Sequence, residues 1–301
     1  MQVSFSAVAL ILVTTTLGFR WSTIGTTIAG TGYSVSPLSS RLYNPRKIRF
    51  DSSGLLYIAD QLDHRIQAWK VGDSAGATVA GQANGVAGST STDLYNPFSS
   101  YVDSSNNIYV ADTYNHRVQL WSSGALSGTT LIGTADTDNH RIMSYTSGAS
   151  SGAVVIGGNG PGTVTNQLYS PHGIYFDSSS NSLLIANFGT HTIVRWTIGS
   201  TRWTLVAGSI GYSGSTSITL SGPSDVTLDS MGNIYVADTN NNRVQLFFAG
   251  QRNATTIAGV TGTIGNSYTL LNAPRSIVLD QQLNLYVSDT SNHRIQMFIR
   301  Y

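Results

Sequence analysis

An all-β fold is predicted by three features of this 301-residue chain. Apolar and polar residues alternate in short runs, as in Ile108-Tyr109-Val110-Ala111 and Val118-Gln119-Leu120-Trp121, which is the period of a strand. The composition suits strands and tight turns. Charged residues make up only 10%, Glu is absent and Lys occurs twice, so Ser, Thr, Asn and Gly must form most of the surface. Finally, one pattern returns at a near-constant period, the mark of a repeat architecture.

The pattern is Pro, a short strand, Asp, a turn, a second strand ending in Asp, and a third strand. It reads NPRKIRFDSSGLLYIADQLDHRIQAW (44–69), NPFSSYVDSSNNIYVADTYNHRVQLW (96–121), SPHGIYFDSSSNSLLIANFGTHTIVRW (170–196), GPSDVTLDSMGNIYVADTNNNRVQLF (222–247) and APRSIVLDQQLNLYVSDTSNHRIQMF (273–298). The second Asp, or its replacement, falls at Asp60, Asp112, Asn187, Asp238 and Asp289, in steps of 52, 75, 51 and 51 residues. An apolar run ending in Gly follows each third strand except the last: TVAG (78–81), LIG (131–133), LVAG (205–208) and TIAG (256–259), with a further VVIGG at 154–158. Four strands per repeat, arranged radially, make a β-propeller.

The chain ends point the same way. The last repeat stops at Phe298-Ile299-Arg300-Tyr301 without a fourth strand, while an unclaimed TTIAG sits at 26–30. The N-terminal strand is therefore expected to complete the final blade, which removes two exposed sheet edges at once.

These phrases resemble the NHL-repeat family of propellers, above all YVADTYNHRVQLW, YVADTNNNRVQLF and YVSDTSNHRIQMF with the preceding P-x-x-[IV]-x-x-D. The resemblance covers residues 24–301. It implies the fold, but the family includes enzymes, ubiquitin-ligase substrate receptors, RNA binders and extracellular sensors, so it does not choose among functions.

The 75-residue step contains ADTDNHRI (135–142), a third-strand phrase without the Pro, first strand and first Asp-turn that normally precede it. The expectation is five full repeats plus one truncated repeat in a nominally six-bladed ring. An insertion on a five-bladed ring is the alternative.

Each strand-end Asp has an Arg five residues later: Asp60–Arg65, Asp112–Arg117, Asp136–Arg141, Asp238–Arg243 and Asp289–Arg294. Where Asn187 replaces the Asp, Thr192 replaces the Arg. Joint loss is what a buried ion pair predicts, since removing one partner costs about 3–5 kcal/mol while removing both can be nearly neutral. These residues are read as structural pairs. The Asp-x-x-Gly turns lack the alternating ligands and closing Glu of a calcium loop and are read as hairpin turns. Trp69, Trp121, Trp196, Phe247 and Phe298 share one repeat position and are expected to pack between blades.

Composition narrows the chemistry. A net charge of +1 supplies no general attraction for nucleic acid or anionic lipid. No Cys is present, which removes disulfides, thiol catalysis and Cys-ligated zinc modules, including any ligase module within this chain. His64, His116, His140, His191 and His293 occupy one repeat slot, so a ring spreads them apart. Only His172 lies elsewhere, and the three-His zinc site that resemblance to peptide-amidating lyases would imply is not expected. The Glu-containing metal site of lactonase-type propellers has no Glu here. No cofactor or metal site and no catalytic residue is expected. A lyase or hydrolase of the six-bladed class and an RNA-binding or ubiquitin-ligase-associated receptor stand as alternatives to a non-catalytic binding module for protein or peptide.

Residues 1–19 carry no charge and include the apolar run Ala7–Val13, followed by Thr16-Leu17-Gly18, which suits cleavage. The run is short for a membrane span. A leader at 1–19, a propeller at 20–301 and a secreted location are expected, although the basic start of a signal peptide is missing. A membrane-anchored form is the alternative. Asn253-Ala254-Thr255 is a glycosylation sequon usable in that compartment.

Specificity is sought where repeats vary. The residue after each Pro does so, giving Arg46, Phe98, His172, Ser224 and Arg275, and its place before the innermost strand predicts a rim around one channel mouth. Recognition of an acidic group is the function expected of that rim.

Overall fold

A computed structural model describes residues 19–31, 37–133, 140–145 and 151–301. Apart from Phe19, the expected leader lies outside the described residues, as does Asp136. The described chain is a β-propeller. Strand β1 (Thr26–Ala29) precedes the first blade, formed by β2 (Pro45–Phe50), β3 (Leu55–Asp60), β4 (Arg65–Lys70) and β5 (Ala77–Gly81) as an antiparallel meander. The second blade is β6 (Pro97–Val102), β7 (Ile108–Asp112), β8 (Arg117–Trp121) and β9 (Thr129–Gly133). After a two-stranded sheet, β10 (Arg141–Ser144) with β11 (Ala153–Gly157), the third blade follows as β12 (Pro171–Asp177), β13 (Ser182–Asn187), β14 (Thr192–Thr197) and β15 (Thr204–Gly208). The fourth is β16 (Pro223–Leu228), β17 (Ile234–Asp238), β18 (Arg243–Phe247) and β19 (Ala254–Gly259). The fifth joins β20 (Pro274–Leu279), β21 (Leu285–Asp289) and β22 (Arg294–Phe298) to β1, in the register Thr26↔Met297, Thr27↔Gln296 and Ala29↔Ile295.

The blade count corrects the six-bladed expectation. Among the described residues there are five four-stranded blades, and only the β10–β11 pair stands between the second and third. The cause is the missing front half of that repeat, which leaves no sequence to form two inner strands. Its effect is visible on β12. Ile174 and Phe176 are 45% and 52% exposed, whereas Ile48 and Ile277, which match Ile174 in their own blades, are 1% and 2% exposed. The neighbour that would cover this face is absent from the described chain.

Local chemistry explains the regularity of the blades. In four of the five blades the first Asp of the turn accepts backbone amides two and four residues on, as Asp51 Oδ1 does from Ser53 and Leu55 and Asp229 Oδ1 from Met231 and Asn233, at 2.9–3.0 Å. The second and third strands are joined by a single 3-10 turn, ended by a residue in the left-handed region: His64, His116, His191, Asn242 or His293, with φ of 51–62°. The fourth strand ends in Gly because a Cβ on Gly81 or Gly208 would strike the carbonyl of His64 or His191. Trp69, Trp121, Trp196, Phe247 and Phe298 are all buried in the blade-to-blade core.

Three of these histidines, with His140 at the same repeat position, clasp the segment that opens the next blade. His64 Nδ1 accepts the Asn96 amide, His140 that of Ser170, His191 that of Gly222 and His293 that of Asn44, each at 3.1 Å. The last of these links the fifth blade to the first. Asn242 Oδ1 does the same for Ala273 at 2.9 Å. An imidazolium carries a proton on both ring nitrogens and cannot accept this bond.

Burial holds His64 and His293 below the usual imidazole range, although Asp63 pulls both upward and Asp112 pulls His64. The unfolded chain thus takes up protons first as pH falls below about 6.5, and stability declines from there to the folded-state pKa. Replacing His64 and His293 with Asn, which performs the clasp at position 242 without titrating, is expected to reduce the loss of Tm between pH 7.5 and 5. Parallel melting curves of variant and wild type make the check, and identical pH profiles would rule the clasps out as its source.

Candidate functional site

Most of the polar side chains in the repeats are committed to structure. The carboxylates of Asp60, Asp112, Asp238 and Asp289 lie 2.9, 2.7, 2.8 and 2.8 Å from Nε of Arg65, Arg117, Arg243 and Arg294. The other carboxylate oxygen accepts an amide seventeen residues upstream, from Tyr43, Tyr95, Ser221 or Asn272, at 2.6–2.7 Å. The guanidinium then donates to loop carbonyls: Arg243 to Ser215 and Thr216, Arg294 to Asn266 and Ser267. Burial pushes Asp60 up to about 7, with Arg65 pulling it back, and also raises Asp238 and Asp289. In the third blade Asn187 Oδ1 keeps the upstream amide, from Tyr169 at 2.7 Å, while Thr192 turns to Thr190. A neutral amide there needs no guanidinium. Arg141 begins β10 with an exposed side chain, and its sequence partner Asp136 lies outside the described residues.

The five innermost strands pack around a channel, with β2 against β6 and β20, and β16 against β12 and β20. At its mouth Arg46 Nε donates to Gln61 Oε1 at 2.6 Å, and its guanidinium carbon stands 4.6 Å from the ring centre of Phe98. His172 stacks on Phe188 with ring centroids 4.4 Å apart and keeps an exposed edge. Arg275 occupies the matching position on β20, next to β2. The three are electrostatically linked. Burial and Arg275 lower Arg46 to about 10, burial lowers Arg275, and burial with both arginines lowers His172 to about 4. His172 is therefore neutral at ordinary pH, a donor or acceptor beside two cations.

Ser224 departs from the other rim positions. It is buried, and its hydroxyl lies 2.8 Å from the Arg275 carbonyl and 2.5 Å from the Thr239 hydroxyl. It seals the seam between the fourth and fifth blades and does not face the opening. Asn253 is exposed, immediately before β19 on the turn from β18.

One functional-looking group was missed in the sequence. Asp225, buried on β16, accepts Lys47 Nζ from β2 at 2.6 and 2.8 Å, Ser276 Oγ at 2.7 Å and the Ile277 amide at 3.1 Å. The pair spans β20 and ties the first blade to the fourth. Its trace in the sequence is the second residue after each Pro: Lys47, Ser99, Gly173, Asp225 and Ser276, one cation and one anion among five. Further along β2 the exposed Arg49 stands 4.7 Å from the ring of Tyr101. Among the described residues no group of three His or Asp side chains is placed to hold a metal ion.

Three segments, residues 101–120, 220–247 and 271–298, match the NHL repeat. With the five-bladed ring, these matches identify the chain as an NHL-repeat β-propeller. No curated protein is similar to it in sequence. Solved propellers are similar in fold. An auxiliary nutrient binding protein from Bacteroides thetaiotaomicron VPI-5482 shares 16% identity with a TM-score of 0.71, over 94% of this chain and 77% of that one. A gluconolactonase from Xanthomonas campestris shares 11% with a TM-score of 0.60, over 88% and 89%. Virginiamycin B lyase from Staphylococcus aureus shares 11% with a TM-score of 0.53, over 94% and 88%. At these identities the likeness is one of fold. Among the described residues no helix is long and apolar enough to cross a membrane.

Two stability outcomes follow. Arg65→Thr alone leaves a buried carboxylate unpaired and is expected to cost about 3–5 kcal/mol, while adding Asp60→Asn, the third-blade pairing, should recover most of that loss. Urea denaturation of both singles and the double variant measures the coupling. Lys47→Met strands Asp225 in the same way, and because Lys47 is partly open to solvent the expected cost is nearer 2–3 kcal/mol.

Proposed function

We propose that this propeller is a non-catalytic binding module that takes a protein or peptide ligand at the channel mouth. The observation that carries this reading is the contrast between committed and uncommitted polar groups. The strand-end carboxylates, the clasping imidazoles and Asp225 have their bonds filled within the fold. At the mouth, Arg46, His172 and Arg275 come together on three different blades with an aromatic floor at Phe98 and Phe188. Loops and rims on a rigid scaffold are the usual seat of recognition. The nutrient binding protein among the similar folds is compatible with such a role, and the lactonase and lyase show that the same scaffold also hosts enzymes. An extracellular setting is supported by the apolar run Ala7–Val13 in the sequence and by the exposed Asn253 sequon.

A displayed peptide library panned on the protein provides the test. Binders are expected to be lost on His172→Trp, which puts a bulky ring at the exposed edge of the mouth, and to be recovered chemically unchanged by mass spectrometry. Binders indifferent to this plug would place recognition elsewhere, and cleaved or modified peptides would make the protein an enzyme.

A further inference from the structure

Four cationic side chains, Arg46, Lys47, Arg49 and Arg275, stand on the two innermost strands β2 and β20, which pack side by side. Among the described residues, the one carboxylate bonded to any of them is Asp225, which accepts Lys47 Nζ at both of its oxygens. By contrast, the arginines of the strand-end pairs each meet a carboxylate within 2.9 Å. Arg46 and Arg275 are half-buried and, among the described residues, neither is within ion-pair distance of an acid. Partial burial of unpaired charge is unfavourable unless something compensates it. Arg46 is also held in place before any ligand arrives, by Gln61 at its Nε and by the Phe98 ring beneath it. That leaves its two terminal nitrogens as donors, the fork that matches two oxygens of one anion. The chain as a whole carries only +1, so this excess is local to the channel.

We propose that the channel mouth is a receptor for an oxyanion, a carboxylate or phosphate group of the ligand, gripped between Arg46 and Arg275 with His172 beside it. This rests on the mouth being the ligand-binding place. His172 is neutral there and donates one ring N–H to the same anion or accepts from a protonated oxygen. The aromatic floor suits the apolar or planar part of the molecule that carries the anion. Lys47 takes no part, because Asp225 occupies it.

The experiment uses inorganic phosphate, acetate and one library-derived peptide in its free-acid and C-terminal-amide forms, at ionic strength held constant with chloride. Thermal stabilisation and calorimetry are read for wild type, Arg46→Gln/Arg275→Gln, Arg46→Lys and an exposed control, Arg202→Gln. Saturable stabilisation by phosphate, by acetate or by both is expected in wild type and control. At least a tenfold weakening is expected in the double variant, with a partial loss in Arg46→Lys, which keeps the charge without the fork. Response to phosphate alone assigns a phosphoryl ligand; response to acetate and the free-acid peptide assigns a carboxylate. No saturable response to any anion, or equal weakening by Arg202→Gln, overturns the proposal. If both peptide forms bind alike, are blocked by His172→Trp and ignore the loss of Arg46 and Arg275, the mouth remains the binding place and the oxyanion is refuted.

Discussion

A carboxylate buried at the end of the second strand is the constraint on which each regular blade depends. In four of the five blades it gathers three stretches of chain: its own strand, the segment that leads into the innermost strand, and the loop from the preceding blade, the last through its arginine. Solvation favours keeping the few charges of such a chain in water. Here the four strand-end Asp side chains and the arginines Arg65, Arg243 and Arg294 are buried almost completely, and only a geometry that satisfies their donors and acceptors makes this tolerable. The arrangement also accounts for loops rich in Gly, Ser and Thr, such as 208–219 and 261–269. These have few side chains able to fix them, and it is the arginine of the next third strand that captures their carbonyls.

The histidine clasp solves a second problem. The residue before each Pro sits at positive φ, at Asn44, Asn96, Ser170, Gly222 and Ala273, and its amide points toward the preceding blade. An acceptor on a left-handed turn of that blade meets it, and imidazole or carboxamide serves equally because only a lone pair is required. The truncated repeat retains this half of its function. His140 still holds Ser170, so the third blade is clasped even though, among the described residues, no inner strands stand beside it.

Much of this was legible in the sequence because its periods are short. The two-residue alternation marked the strands, the five-residue interval marked the ion pairs, and the simultaneous change to Asn187 and Thr192 marked their interdependence. The number of blades was less legible. The phrase ADTDNHRI has the same letters whether or not two inner strands precede it, so counting phrases overstated the ring. The Lys47–Asp225 pair was missed for another reason. Its members are 178 residues apart, and their chemistry appears only when the second residues after Pro are compared across repeats. The five residues after Pro were read as one rim, but Ser224 is buried in a seam between blades. Whether a small hydroxyl faces a channel or a seam depends on the next strand, where the Arg275 carbonyl waits for it.

Repetition and variation divide the work of this molecule. Each repeated polar group closes a bond inside the ring, which makes the scaffold rigid and leaves it with nothing to offer a ligand. Variation at the mouth falls on the first residues of the innermost strands, where five blades point at a common axis and side chains far apart in sequence become neighbours. A symmetric ring would present the same group five times. This one places arginines on the adjacent first and fifth blades, and a neutral histidine across from them on the blade beside the truncated repeat. Charge then accumulates on one side of the mouth while the protein as a whole stays close to neutral. Such an off-centre field orients an approaching anion as well as attracting it, a distinction that the fold alone could not supply.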